Sequence, residues 1–125
     1  MSGVILDAGA LVAFEKNDRA VVALLLRAVE TRTPLAVPAG VVGQVWRDGR
    51  RQARLARLLG SPSVAVLPLD DFEARAAGQL CGATGTRDVI DASVVLSARR
   101  QGGAVLTSDA GDLRRLDARL RYIDV

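Results

Sequence analysis

The chain has 125 residues, enough to bury a real core, and half of them are hydrophobic, a profile that excludes a disordered tail. A single cysteine and no histidine exclude an internal disulfide, a multi-cysteine zinc site, histidine-ligated metals and catalytic arrangements built on histidine. The net charge of +3, with every basic residue an arginine except Lys16, suits a nucleic acid or an acidic partner without demanding either.

Residues 3–7 read as a strand apolar on both faces, the mark of a buried parallel strand, and a short helix over Ala8 to Phe14 follows. Asp18 is placed to cap a second helix running to about Glu30. "PLAVP" (Pro34 to Pro38) is a short strand bounded by prolines, and from Ala39 the pattern is helical through "GVVGQVWRDG" and "RRQARLARLLG", with Gly60 as its stop. "SVAVLPL" (Ser63 to Leu69) reads as another continuous apolar strand. Asp70 and Asp71 can cap "FEARAAGQLCG", and Asp88 can cap "VIDASVVLSARRQG". "GAVLTSD" repeats the grammar of the opening strand, a short helix is expected over Asp112 to Leu116, and "RYIDV" ends the chain as an edge strand.

Strands alternating with helices predict an α/β fold, three layers deep (α/β/α), with a mostly parallel central sheet, as one domain over residues 1–125. No apolar run approaches the ~20 residues of a membrane span, and no basic leader precedes a cleavable apolar segment, so a cytoplasmic protein is expected.

In such sheets ligands sit at the carboxyl ends of the strands, which is where Asp7 and Asp109 fall. Asp91, one turn into an apolar helix, can turn toward the same edge, with Asp112 just beyond. A lone Asp at a strand end is usually a cap, and Asp18 and Asp88 are read that way. Three converging carboxylates raise one another's pKa unless a cation compensates, and an all-oxygen set favours Mg²⁺ or Mn²⁺. Such an ion polarises a phosphoryl oxygen and activates a bound water.

Arg47, Arg50, Arg51, Arg54 and Arg57 crowd one stretch. They form either a solvated helix face or a phosphate-gripping rim, in which Arg47, Arg50, Arg54 and the more distant Arg87 are the candidates for backbone-phosphate contact. Trp46 beside them reads as a core or interface residue before a base-stacking one. Thr107 and Ser108, just ahead of Asp109, can hydrogen-bond a metal-bound water or a phosphate but as strand-end polar residues need no such task; Tyr122 fits edge-strand packing, and Cys81 reads as a small core residue.

"VILDAGALVAF", "RDVIDASVVLSAR" and "AVLTSDAGDL" resemble, in order and spacing, the PIN-domain ribonucleases, and among them the VapC-type toxins of toxin–antitoxin pairs. The resemblance spans essentially the whole chain. It implies a Mg²⁺- or Mn²⁺-dependent endoribonuclease acting on RNA, blocked by a small cognate antitoxin, and a homodimer. By position, Asp7, Asp91 and Asp109 would be the metal-binding acids and Asp112 an auxiliary one. The family pattern usually carries Glu on the helix after the second strand, where this chain has Gln44, which can ligate or orient water but brings no charge. Asp48, one turn on, is a substitute unless the turn at Gly49 claims it. Two readings stay open, a working nuclease with Gln44 in its catalytic set and a silent module that binds RNA or antitoxin without turnover. Receiver-type and dehalogenase-type phosphoryl chemistry is disfavoured, because Lys16 is the only lysine and Gly9 stands where the second acid would be. No phosphate-binding glycine loop occurs.

Overall fold

The structure, a computed structural model, describes residues 2–125. In chain order it contains β1 (Val4–Leu6), α1 (Ala8–Glu15), α2 (Arg19–Glu30), β2 (Leu35–Pro38), α3 (Ala39–Val45) and α4 (Ala53–Leu59). These are followed by β3 (Val64–Leu67), α5 (Asp71–Thr84), α6 (Val89–Gln101), β4 (Ala104–Thr107), α7 (Ala110–Leu116) and β5 (Arg121–Asp124). The five strands form one sheet in the order β3-β2-β1-β4-β5, and every pair is parallel.

β1 lies at the centre because Val4, Ile5 and Leu6 are apolar in succession and can be covered on both faces. Ile5 registers against Ala36 of β2 and Val105 of β4, and Leu6 against Leu106. On one face α1 packs against β1 and β4 with α2 and α4 beside it. On the other, α6 lies across β1, β2 and β4, flanked by α5 and α7. α6 buries most residues of its middle, from Ala92 to Ala98, and its two internal hydroxyls are satisfied locally. Ser93 Oγ donates to the Ile90 carbonyl at 2.6 Å and Ser97 Oγ to that of Ser93 at 2.8 Å. Cys81 is buried in the same core, as expected.

The caps follow the sequence closely. Asp18, Asp70 and Asp88 accept from the backbone N–H groups of Val21, Glu73 and Asp91 at 3.1, 2.8 and 2.9 Å. α5 and α6 end on Gly85 and Gly102 at φ 71° and 65°, a backbone region that glycine enters without strain.

Three expectations are corrected. The helical pattern from Ala39 to Gly60 is broken between Trp46 and Gln52. Gln52 is buried there and bonds its side chain to the backbone of the intervening turn, which outweighs the local helical pattern. β3 is an edge strand whose Ala65 and Val66 are exposed, not a strand buried on both faces. α7 starts at Ala110, two residues earlier than read, because the Asp109 carbonyl already accepts from Leu113 N–H at 3.2 Å.

Candidate active site

The strand order places the topological switch between β1 and β4: the connection from β1 leads to β2 on one side, while β4 lies on the other. Crevices at the carboxyl ends of strands flanking such a switch are the usual ligand sites of open parallel sheets. Asp7 follows β1 and Asp109 follows β4 through Thr107 and Ser108. Both occupy the N-cap position of the next helix, yet neither caps it with its side chain, unlike Asp18, Asp70 and Asp88.

Thr107 ties the two loops together. Its buried hydroxyl donates to Asp7 Oδ2 at 2.7 Å and accepts from the Asp109 N–H at 2.9 Å. Asp7 N–H donates to the Leu106 carbonyl at 3.0 Å, so backbone and side chain of Asp7 are both anchored to the β4 end. Gly9 allows the approach: a Cβ there would lie 2.1 Å from Ser108 Oγ and 2.9 Å from Ser108 N. The sequence reading gave Thr107 no necessary task. Its role depends on β1 and β4 pairing in parallel across a hundred residues, which no local pattern reveals.

Asp7 is buried, and that burial pushes its carboxyl above the usual range; Asp109 and Asp88 push the same way, against the bond from Thr107. Asp91 is half-buried and pushed up to about 7, first by desolvation and then by the charges of Asp88, Asp7, Asp109 and Asp112. The leading charges on Asp91 are therefore all carboxylates, and they include the candidate acids from the other two loops.

Asp88, Asp91 and Asp112 line one cleft of about 340 Å³ with Thr86, Arg87, Arg115 and Leu116. Asp109 and Ser108 face another, with Gly9, Lys16 and Asp18. Among the described residues, no three acidic side chains close around one point as a ready ion cage. The convergence read from the sequence is thus one of electrostatic coupling rather than of closed geometry. The donor set still fits a divalent cation. It is all oxygen, mutually repelling, and its Asp7 and Asp109 carboxylates are not spent on capping.

The other candidates divide. Gln44 is exposed on α3, one turn beyond Gly40, which packs against Ile90 beside Asp91. Asp48 belongs to the turn: its Oδ1 accepts from Arg50 N–H at 3.0 Å and its carbonyl accepts from Gln52 N–H at 3.0 Å. Arg87 lines the acidic cleft; Arg115, which the sequence reading missed, joins it from one turn beyond Asp112. Arg54 is instead turned onto α1, donating to Asn17 Oδ1 at 2.9 Å with its guanidinium 5.2 Å from the Phe14 ring centre. Arg47 donates to the carbonyls of Gly43 and Trp46. Trp46 is 37% exposed, so it is not a core residue. Tyr122 packs as expected, its hydroxyl donating to the Asp117 carbonyl at 2.6 Å.

The fold is similar to solved structures of low sequence identity. FitAB bound to an IR36 DNA fragment aligns with TM-score 0.66 and 17% identity, over 97% of this chain and 94% of that one. FitAcB from Neisseria gonorrhoeae gives 0.65 and 19%, over 97% and 96%. VapBC2 from Rickettsia felis, bound to a DNA fragment from its promoter, gives 0.68 and 13%, over 98% of each chain. No curated protein matches the sequence significantly. The PIN domain family profile matches residues 4–119, nearly the whole length, and the chain belongs to the PIN domain family.

Proposed function

We propose that this chain is a divalent-metal-dependent endoribonuclease, the toxin of a two-protein toxin–antitoxin pair, folded as one domain and working in the cytoplasm as a homodimer. The observation that carries the reading is the pair of uncapping aspartates, Asp7 and Asp109, joined through Thr107 at the switch point and coupled to Asp91. PIN-family membership supports a nuclease. The likeness to FitAB and VapBC2 supports an antitoxin partner. Among the described residues no helix is long and apolar enough to cross a membrane.

Asp7, Asp91 and Asp109 would hold Mg²⁺ or Mn²⁺, with Asp112 as an outer acid. When bound there, the ion supplies positive charge to a phosphoryl oxygen and an activated water. Thr107 orients Asp7 and, by donating to it, favours its ionised form against the burial that disfavours it. Gln44 orients water from the α3 side through a neutral amide. Arg87, with Arg115, seats the RNA backbone at the cleft rim, and Arg50 extends that grip.

Gln44 in place of the usual acid is the specific observation that favours the second reading, binding without turnover. One assay separates the two: cleavage of single-stranded RNA by purified protein with Mn²⁺, with EDTA, and with Asp109→Asn. Metal-stimulated cleavage lost in Asp109→Asn supports the nuclease. Cleavage that persists in EDTA or in the variant overturns the assignment, and RNA binding without cleavage favours the silent module.

A further inference from the structure

We infer that Trp46 is a preformed stacking platform for a base of single-stranded RNA, a role that rests on the reading of the chain as an RNA-binding protein, with or without turnover. Trp46 is the only tryptophan of the chain and ends α3 in extended backbone. The position of Gly49 fixes its ring. A Cβ at Gly49 would lie 2.8 Å from Cζ2 and 3.3 Å from Cη2, so the indole rests directly on glycine backbone. The turn beneath is itself held. Gln52 Oε1 accepts from the N–H groups of Arg47 and Asp48 at 2.7 and 2.9 Å, while its Nε2 donates to the Val45 carbonyl at 2.9 Å and to Glu15 Oε1 at 3.3 Å. An aromatic ring left 37% exposed on so constrained a loop gives up little conformational entropy when a partner covers it.

Charge and the exposed flat ring together point to the partner. Arg47, Arg50, Arg51, Arg54 and Arg57 follow Trp46 on this loop and α4, Arg54 being turned onto Phe14, and Asp48 is the only acid of the segment. A second copy docked through the same patch, or an apolar peptide, would bring like charge or no charge against these guanidiniums. A polyanion with flat bases matches both the ring and its surroundings. α3 begins at the carboxyl end of β2 and has 7 residues, so Trp46 lies about 10 Å along it from the sheet edge that carries the acids. One strand can therefore reach both.

Because Trp46 is the sole indole, its fluorescence reports the contact directly. The wild type is titrated in EDTA, which withholds divalent metal, with a single-stranded RNA of about ten nucleotides and with an abasic strand of equal length. Binding is followed in parallel by anisotropy of the labelled strands. RNA is expected to quench the fluorescence and the abasic strand to bind without quenching. Trp46→Ala should weaken RNA binding by about 5- to 150-fold, and Gly49→Ala should reduce quenching by displacing the ring. RNA that binds without quenching, or an unchanged affinity in Trp46→Ala, overturns the proposal. So does a Trp46→Ala protein that loses only its dimeric size, which would assign the ring to an interface between copies. Failure to cleave RNA with Mn²⁺ counts against the nuclease reading and leaves this one standing.

Discussion

Replacing Asp91 by asparagine removes a charge whose strongest charged neighbours are also acidic. Desolvation, followed by Asp88, Asp7, Asp109 and Asp112, lifts the carboxyl from 3.8 to about 7. That is roughly three pH units, or ~4 kcal/mol against the ionised form before screening. The group is half-exposed, and solvent screening leaves about 1–2 kcal/mol. The folded value lies above the unfolded one. This contribution to stability is therefore complete below about pH 4 and is lost as pH rises through about 7. At pH 8 the wild type carries the full penalty and asparagine, close in shape and uncharged, carries none. For a domain of this size the variant should melt about 3–10 °C higher at pH 8 in EDTA, with the gap closing toward pH 4. Differential scanning calorimetry at the two pH values reads this directly. Added Mn²⁺ should raise the melting temperature of the wild type and leave the variant unmoved. An Asp91→Asn protein that melts below wild type at pH 8 in EDTA would refute the reasoning, because it would mean that Asp91 is held by favourable partners.

Two more outcomes follow from the same geometry. Thr107→Val keeps the shape but leaves Asp7 Oδ2 and the Asp109 N–H without their partner. It should cost about 1–3 kcal/mol in chemical denaturation, and RNA cleavage should fall with it; a variant as stable and active as wild type removes Thr107 from the site. Gly9→Ala forces a methyl into Ser108, backbone included, and should destabilise by about 1–3 kcal/mol, whereas Gly43→Ala, with open space around it, should be neutral or stabilising. Equal melting temperatures for the two glycine variants would contradict the packing described.

Much of this architecture was legible because the signals were local. "VILD" and "AVLTSD" announce buried strands ending in polar residues, and the caps at Asp18, Asp70 and Asp88 need only their own helices. The missed features are tertiary. The residues from Trp46 to Gln52 carry helical periodicity, but the side-chain bonds of Gln52 to the turn and to Glu15 on α1 break it. Val66 looks as apolar as Ile5, yet only the order of the strands decides that β3 lies at an edge. Arg54 reads as a free cation until α4 is packed on α1 and brings it to Phe14 and Asn17. In the site, strand grammar finds Asp7 and Asp109, while the link between them through Thr107 exists only once β1 and β4 are neighbours.

The claim on which the rest depends is that Asp7, Asp91 and Asp109 share one divalent cation. Titrating Mn²⁺ into the purified protein, with free ion followed by electron paramagnetic resonance, measures it without substrate or turnover. The account predicts saturable binding by wild type, strong weakening in each of Asp7→Asn, Asp91→Asn and Asp109→Asn, and tighter binding in Gln44→Glu. Binding by the three aspartate variants as tight as wild type, or no saturable binding by wild type, would contradict it.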